Sequence, residues 1–263
     1  MQNNTEAQKK TAGIQIQSVS RSIEILNCFR EQQELGISEL SQMLGLNKST
    51  VYGLVNTLTC NGFLEQVENG RKYRLGIALF ELGYLFISRL DSRKVIKDSC
   101  APLAEKYHAT LHIATYDEGE VVYLDKIDGG GAFISSSNVG RRLPLYCTGV
   151  GKVLLAYLPP EYRQKYIYGK PMKALTANTI TDRETLEKEL EKVRENGIAF
   201  DNGEVEDGLS CVAAPIFQIN GTSKIAVSLS FPFGRIRNVD LDEVIRELRT
   251  RTLEASARQG YHS

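Results

Sequence analysis

Paired cysteines are missing from this 263-residue sequence: Cys28, Cys60, Cys100, Cys147 and Cys211 stand singly, with no C-x-x-C motif. That spacing suggests neither a structural zinc site nor a disulfide framework. Net charge is missing too, because 32 basic residues balance 32 acidic ones. Any footprint on a polyanion must therefore be local. Long apolar runs are also absent. Residues 1–11 are polar and hold no signal-peptide core. The most apolar stretch, IALFELGYLFISRL from Ile77, carries Glu81 and Arg89 and is too short to span a bilayer. The expectation is a cytoplasmic chain with a loose tail over residues 1–15 and no membrane partner.

What is present is ordinary globular material, 42% apolar and 24% charged, with length enough for two domains. Val19, Ile23, Leu26 and Phe29 recur at helical spacing after Ser18 and Ser20, either of which could cap a first helix. A short second helix is expected from Ser38 as N-cap, with Leu40, Met43 and Leu44 as its stripe. Gly45 supplies the tight turn. Asn47 then caps a third helix whose Val51, Leu54, Val55 and Leu58 share a face. Phe63-Leu64, an Asn69-Gly70 turn signal and RKYRL read as a β-hairpin.

Three short helices and a hairpin are the pattern of a winged helix-turn-helix, although a purely structural bundle shares it. The third helix tilts the reading towards DNA. Its exposed face carries Lys48, Ser49, Thr50, Tyr52, Asn56 and Thr57 and no acidic residue. Short donors and acceptors of this kind suit phosphates and base edges. Lys48 stands at the helix start, where the dipole also favours phosphate, and Arg71, Lys72 and Arg74 cluster on the wing. The candidate DNA contacts are Ser38, Asn47, Lys48, Ser49, Thr50, Tyr52, Arg71 and Lys72. The following helix, with Leu79, Leu82, Phe86 and Leu90, either meets a second copy or packs inside its own chain.

The second half changes character near residues 91–93. A helix over 94–108, a hairpin turning at Asp-Glu-Gly, an extended AFISSSNVGRRLPLY and a glycine-led helix at TGVGK come first. A charged helix over 181–196 capped by Thr181 or Asp182, three strands and an amphipathic closing helix follow. Helices around an antiparallel sheet make an α+β domain. TGVGK fails as a phosphate loop: Tyr146 replaces the leading glycine and Val153 the magnesium-binding hydroxyl. A glycine-led helix start can still hold a small anion, or can use glycine only for its backbone freedom. His108 and His112 end a helix and enter a strand, with no third ligand apparent, so no metal or cofactor is expected. Cys147 and Cys211 lack a histidine partner motif, and Asp201 with the EVED stretch reads as solvated. An enzyme using Cys211 or Asp201 is the minority alternative.

The segments SVSRSIEILNCF, GISELSQMLGLNKSTVYGLVNTL, GRRLPLYCTGVGKVLLAYL, DNGEVEDGLSCVAAPIF and IAVSLSFP occur in an order that resembles the IclR-type transcription regulators, from about Gln17 to Tyr261. The resemblance implies a winged helix-turn-helix over 16–76, a linker helix over 77–91 and a GAF/PAS-like effector domain over 92–263. It implies double-stranded operator DNA as partner and homodimers that pair into tetramers. It is strongest towards members that answer to sugar acids or keto acids, which implies a small carboxylate effector and a repressor of a catabolic operon. The family's ligand pocket carries over onto Leu143, Gly149, Val150, Asp201, Leu209, Cys211, Ser228 and Ser230. Two departures stand out. Gly53 occupies a recognition-helix position where family members often have arginine, and Ser135 stands where some relatives place a large apolar residue, implying a roomier or more polar pocket that favours a hydroxylated ligand.

Overall fold

The computed structural model describes residues 15–67, 70–88, 92–130, 137–232 and 234–261. Asn69 and Ser135, singled out above, lie outside the described residues, as do Arg89, Leu90, Asp91 and the start of the extended stretch after Gly130. The chain divides into two compact units, residues 1–90 and 91–263.

The first unit contains helices α1 (Gln17–Cys28), α2 (Ile37–Leu44), α3 (Lys48–Cys60) and α4 (Ile77–Ser88), with short strands β1 (Leu35–Gly36), β2 (Leu64–Gln66) and β3 (Lys72–Leu75) in the order β1-β3-β2. Its core joins Ile25 of α1, Phe29 at the end of that helix, Leu40 of α2 and Val51, Val55 and Leu58 of α3 to Leu35 and Leu64. Each such side chain contributes about 1.5–3 kcal/mol on burial. Gly45 ends α2 in the left-handed region, φ 63° and ψ 26°, as its turn role requires. Asn47 caps α3 by accepting the Thr50 N–H at 2.8 Å.

Three expectations are corrected here. Ser38 is not the cap of α2; Gly36 is, and the Glu39 carboxylate turns back to accept the Gly36 N–H at 2.6 Å. Neither Ser18 nor Ser20 caps α1, which begins at Gln17 after Ile16 without a side-chain cap. The buried stripe of α1 is centred on Ile25 and Phe29, whereas Val19 and Ile23 are 53% and 54% exposed. Apolar side chains stand both on the Val19–Ile23 side of the helix and at Ile25, so periodicity alone could not choose which of them α2 and α3 would cover.

In the second unit, α5 (Ser92–Tyr107) leads into a six-stranded antiparallel sheet ordered β6-β5-β4-β9-β8-β7. Its strands are β4 (Thr110–Asp117), β5 (Glu120–Asp128), β6 (Arg142–Pro144), β7 (Ala199–Asn202), β8 (Ser210–Phe217) and β9 (Ser223–Phe231). Glu118 and Gly119, both at positive φ, make the two-residue turn between β4 and β5. Of the extended stretch after Gly130, only Arg142–Pro144 is strand among the described residues. Helices α6 (Gly149–Tyr157), α7 (Pro160–Tyr166), α8 (Arg183–Asn196) and α9 (Leu241–Ala257) complete the unit. Asp182 caps α8 by accepting the Thr185 N–H. Helices α5 and α9 pack on one another and on β4 and β8, while α6 rests on β7, β8 and β9 with α8 behind it. Ala114, Ala199, Ala213 and Ala226 line the strand face beneath α6, and these short side chains let that helix come close. Among the described residues no helix is long and apolar enough to cross a membrane.

Candidate functional site

In the first unit, α2, the Gly45 turn and α3 present one polar surface. Lys48, Ser49 and Tyr52 are exposed on the outer face of α3, and Thr50 is half-buried. The Asn47 side-chain oxygen is spent inside the cap, accepting from the Thr50 N–H and from the Ser49 hydroxyl at 2.9 Å, which leaves its amide NH₂ free. Ser38 is exposed in the first turn of α2. That turn has no side-chain cap, so its N–H groups remain available to a phosphate. The wing cations are not equivalent. Arg74 is paired with Glu65 across the hairpin, and Lys72 lies 3.6 Å from Glu39. Arg71 is exposed and has no ion pair among the described residues.

In the second unit a small, partly enclosed cavity opens between the start of α6 and the sheet. All eight residues expected for the pocket line it: Leu143 on β6, Gly149 and Val150 on α6, Asp201 on β7, Leu209 and Cys211 at β8, and Ser228 and Ser230 on β9. Strand register explains the convergence. Asp201 pairs with Cys211 and Cys211 with Ser230, so three side chains from three strands form one row. Ser228 lies two residues before Ser230, on the same face of its strand.

Helix α6 is seated so that its first turn faces this row. The Thr148 hydroxyl accepts the Gly151 N–H at 3.0 Å and its carbonyl accepts the Lys152 N–H at 2.9 Å. The N–H groups of Gly149 and Val150 have no acceptor among the described residues. Gly151 is required by the fit, since a Cβ there would stand 2.2 Å from the Leu145 carbonyl oxygen. Glycine therefore serves close approach here, and that same approach delivers two unspent donors to the cavity wall.

The cavity chemistry is unusual for its titratable groups. Asp201 is 2% exposed, and burial pushes its carboxyl pKa up to about 7, although its Oδ1 accepts the Glu204 N–H at 2.7 Å. The expectation that this carboxylate is solvated is thereby overturned. Burial, with Asp201 beside it, also pushes the Cys211 thiol well above its usual range, and its contacts are Ser230 and Asp201 rather than a histidine. Such a thiol is a poor nucleophile.

Five lining residues escaped the sequence reading: His112, Tyr123, Ser137, Thr148 and Val205. His112 is 2% exposed and contacts Ser137 Oγ through Nε2 at 2.7 Å and Ser230 Oγ through Nδ1 at 3.2 Å. Burial, with Lys126 nearby, lowers its pKa to about 3, so the ring is neutral. The pairing of β4 with β9, which sets His112 opposite Ser228, joins segments more than 100 residues apart and has no local signal. Thr148 did have one, as a threonine directly before a glycine-led helix. Among the described residues no three histidine, cysteine or acidic side chains group as a metal site.

A helix-turn-helix with a small wing, followed in the same chain by an antiparallel α+β unit holding a partly enclosed polar cavity, defines the class of a DNA-binding regulator. Residues 18–68 match the family described as IclR helix-turn-helix domain, and residues 85–257 match Bacterial transcriptional regulator IclR C-terminal. The HTH-type transcriptional regulator XynR of Escherichia coli is 36% identical over 94% of this chain and 98% of its own length. The regulator KdgR of the same bacterium is 37% identical over 94% of both chains. The crystal structure of Thermotoga maritima IclR superposes with a TM-score of 0.75 at 30% identity, covering 93% of this chain and 99% of that one. The chain belongs to the IclR family of transcription regulators, whose members act on DNA and are not enzymes.

Proposed function

We propose that this chain is a ligand-responsive repressor of a carbon-catabolic operon, relieved by a small carboxylate of the sugar-acid or keto-acid type. The observation that carries the reading is the meeting, in one partly enclosed cavity, of the unspent Gly149 and Val150 N–H groups with the Ser228 and Ser230 hydroxyls. Four neutral donors on the wall of one cavity, two of them at a helix N-terminus, suit a carboxylate. Asp201 accepts from a ligand hydroxyl, and Leu143 and Leu209 wall the apolar side. Val205 and Cys211 close the remainder.

DNA is held by Lys48, Ser49, Thr50, Tyr52 and the Asn47 amide in the major groove, with Ser38 and Lys72 on phosphates and Arg71 on the wing. The domain limits that go with this reading are 16–76 for DNA binding, 77–91 for the linker helix and 92–263 for the effector. A reader of palindromic sites needs two copies. Exposed apolar side chains supply a surface for the second one: Ile16, Val19 and Ile23 on the α1 side, and Ile77, Phe80 and Tyr84 on α4. Further pairing into tetramers runs through the effector domains. Effector binding then alters operator affinity by changing the spacing of the two DNA readers.

The test is fluorescence anisotropy of a duplex taken from the region upstream of the protein's own gene, with and without a panel of sugar acids and keto acids. Specific binding that weakens steeply with salt and is reversed by one member supports the reading. Binding no tighter than to random duplex, or no response to any acid, overturns it.

A further inference from the structure

Behind the proposed contacts runs one hydrogen-bonded row, two of whose members, His112 and Ser137, have no part in them. It runs from Ser137 through His112 and Ser230 to Cys211, at 2.7, 3.2 and 3.2 Å, and ends 3.9 Å further at Asp201 Oδ2. Every residue in it is at least nine-tenths buried. A neutral imidazole has one N–H and one lone pair, so the row admits two arrangements. In the first, the Ser230 hydroxyl donates to Nδ1 and Nε2–H donates to Ser137. Ser230 then shows the cavity only lone pairs, which repel a carboxylate. In the second, the Ser137 hydroxyl donates to Nε2 and Nδ1–H donates to Ser230, which frees the Ser230 hydroxyl to donate into the cavity.

We propose that His112 is a positioning residue for effector recognition: held between Ser137 and Ser230, it takes the Nδ1–H tautomer when a carboxylate binds and thereby turns the Ser230 hydroxyl into a donor. This deepens the carboxylate reading above and rests on it. The imidazole does not meet the anion as a cation, because burial keeps it neutral across the physiological range. Its contribution is the direction of one proton. Tyr123, whose ring centroid lies 5.2 Å from that of His112, and the Ser137 contact hold the ring plane while the proton moves.

The chain has three histidines, which makes the tautomer readable. The full-length protein, labelled with ¹⁵N-histidine, is titrated with pyruvate, gluconate and galacturonate and followed by long-range ¹H–¹⁵N correlation, with calorimetry giving the affinities. His112 is expected to adopt the Nδ1–H form on binding. In His112→Asn the side-chain amide places an N–H near the Nδ1 position, and affinity should stay within a few-fold of the wild type. In His112→Leu the Ser230 hydroxyl loses its donor and affinity should fall roughly tenfold or more, the range for a hydrogen bond to a charged group. Ser137→Ala leaves the ring in place but removes the hydroxyl that Nε2 accepts from. It should shift the ring towards Nε2–H and weaken binding several-fold, which serves as the test should the leucine variant not fold. A bound state with the proton on Nε2, an asparagine variant as weak as the leucine one, or unchanged binding in Ser137→Ala overturns the inference and leaves the carboxylate reading standing. Absence of wild-type binding to all three acids overturns that reading, and this inference with it.

Discussion

Lys152 and Glu204 form an ion pair that both partners bury, with residue exposures of 1% and 4% and Nζ 2.5 Å from Oε1. Glu189 approaches the same ammonium at 3.8 Å from α8, and Glu204 Oε2 has no hydrogen-bond partner among the described residues. The pair stands directly behind the cavity, because the Glu204 N–H is also the donor to Asp201. Lys152→Met should destabilise the second unit by about 3–5 kcal/mol, since it strands a buried carboxylate. Lys152→Met combined with Glu204→Gln should recover most of that loss. Calorimetric unfolding of the two variants decides it. A single variant as stable as the wild type, or a double variant no better than the single, contradicts the account.

On the proposed reading, Asp201 should make effector binding depend on pH. Its folded pKa of about 7 exceeds the ordinary carboxylate value, so the folded protein retains a proton that the unfolded chain has lost. The associated stability is present below the unfolded pKa near 4 and declines as pH rises through 7. An anion held beside this group favours the protonated form further. Carboxylate affinity should therefore fall above pH 7, by at most tenfold per pH unit, and Asp201→Asn should flatten the profile. Titration calorimetry from pH 5.5 to 8.5 checks this; a flat wild-type profile removes Asp201 from the anion's neighbourhood. His112 acts with the opposite sign. Its lowered pKa protects the fold above about 6.5 and loses that contribution as pH falls.

Much of this arrangement was legible in the sequence, and the parts that were not share a cause. The Asn47 cap and the Gly45 turn are local devices whose geometry is set within four residues and form as read, and of the two caps open to α8, Thr181 and Asp182, the structure uses Asp182. The eight pocket positions came from a resemblance and converge in one cavity. His112 did not announce itself, because its role depends on β4 lying beside β9. The exposed Val19 and Ile23 were misassigned for the complementary reason: an amphipathic pattern says that a stripe will be covered, without saying by what.

Among the wing cations, the ion pairs rank the expected effects on DNA. Arg71 is unpaired among the described residues and Arg74 is held by Glu65. Arg71→Ala and Lys48→Ala should each reduce the slope of log affinity against log salt by about 0.9 while lowering affinity similarly for operator and random duplex. Arg74→Ala should change the slope less, because its charge is already partly neutralised. Anisotropy titrations at several salt concentrations separate these outcomes, and an Arg74 effect larger than that of Arg71 would sink the ranking.

Gly53 sits in the middle of α3 on its exposed face, and a Cβ built there meets nothing within 4 Å. Neither packing nor backbone conformation requires glycine at this position, since its φ is helical and its neighbourhood open. Glycine in a helix interior costs about 1 kcal/mol relative to alanine. Gly53→Ala should therefore raise the stability of the DNA-binding unit by about that amount, measured by chemical denaturation. Operator binding then reports what the fold cannot. If the DNA surface comes close at Gly53, the alanine variant will be more stable yet bind operator more weakly, with random-duplex affinity unchanged. A variant that gains stability and keeps full operator affinity shows instead that the side chain's absence serves no contact, and that base reading falls to Ser49, Thr50 and Tyr52.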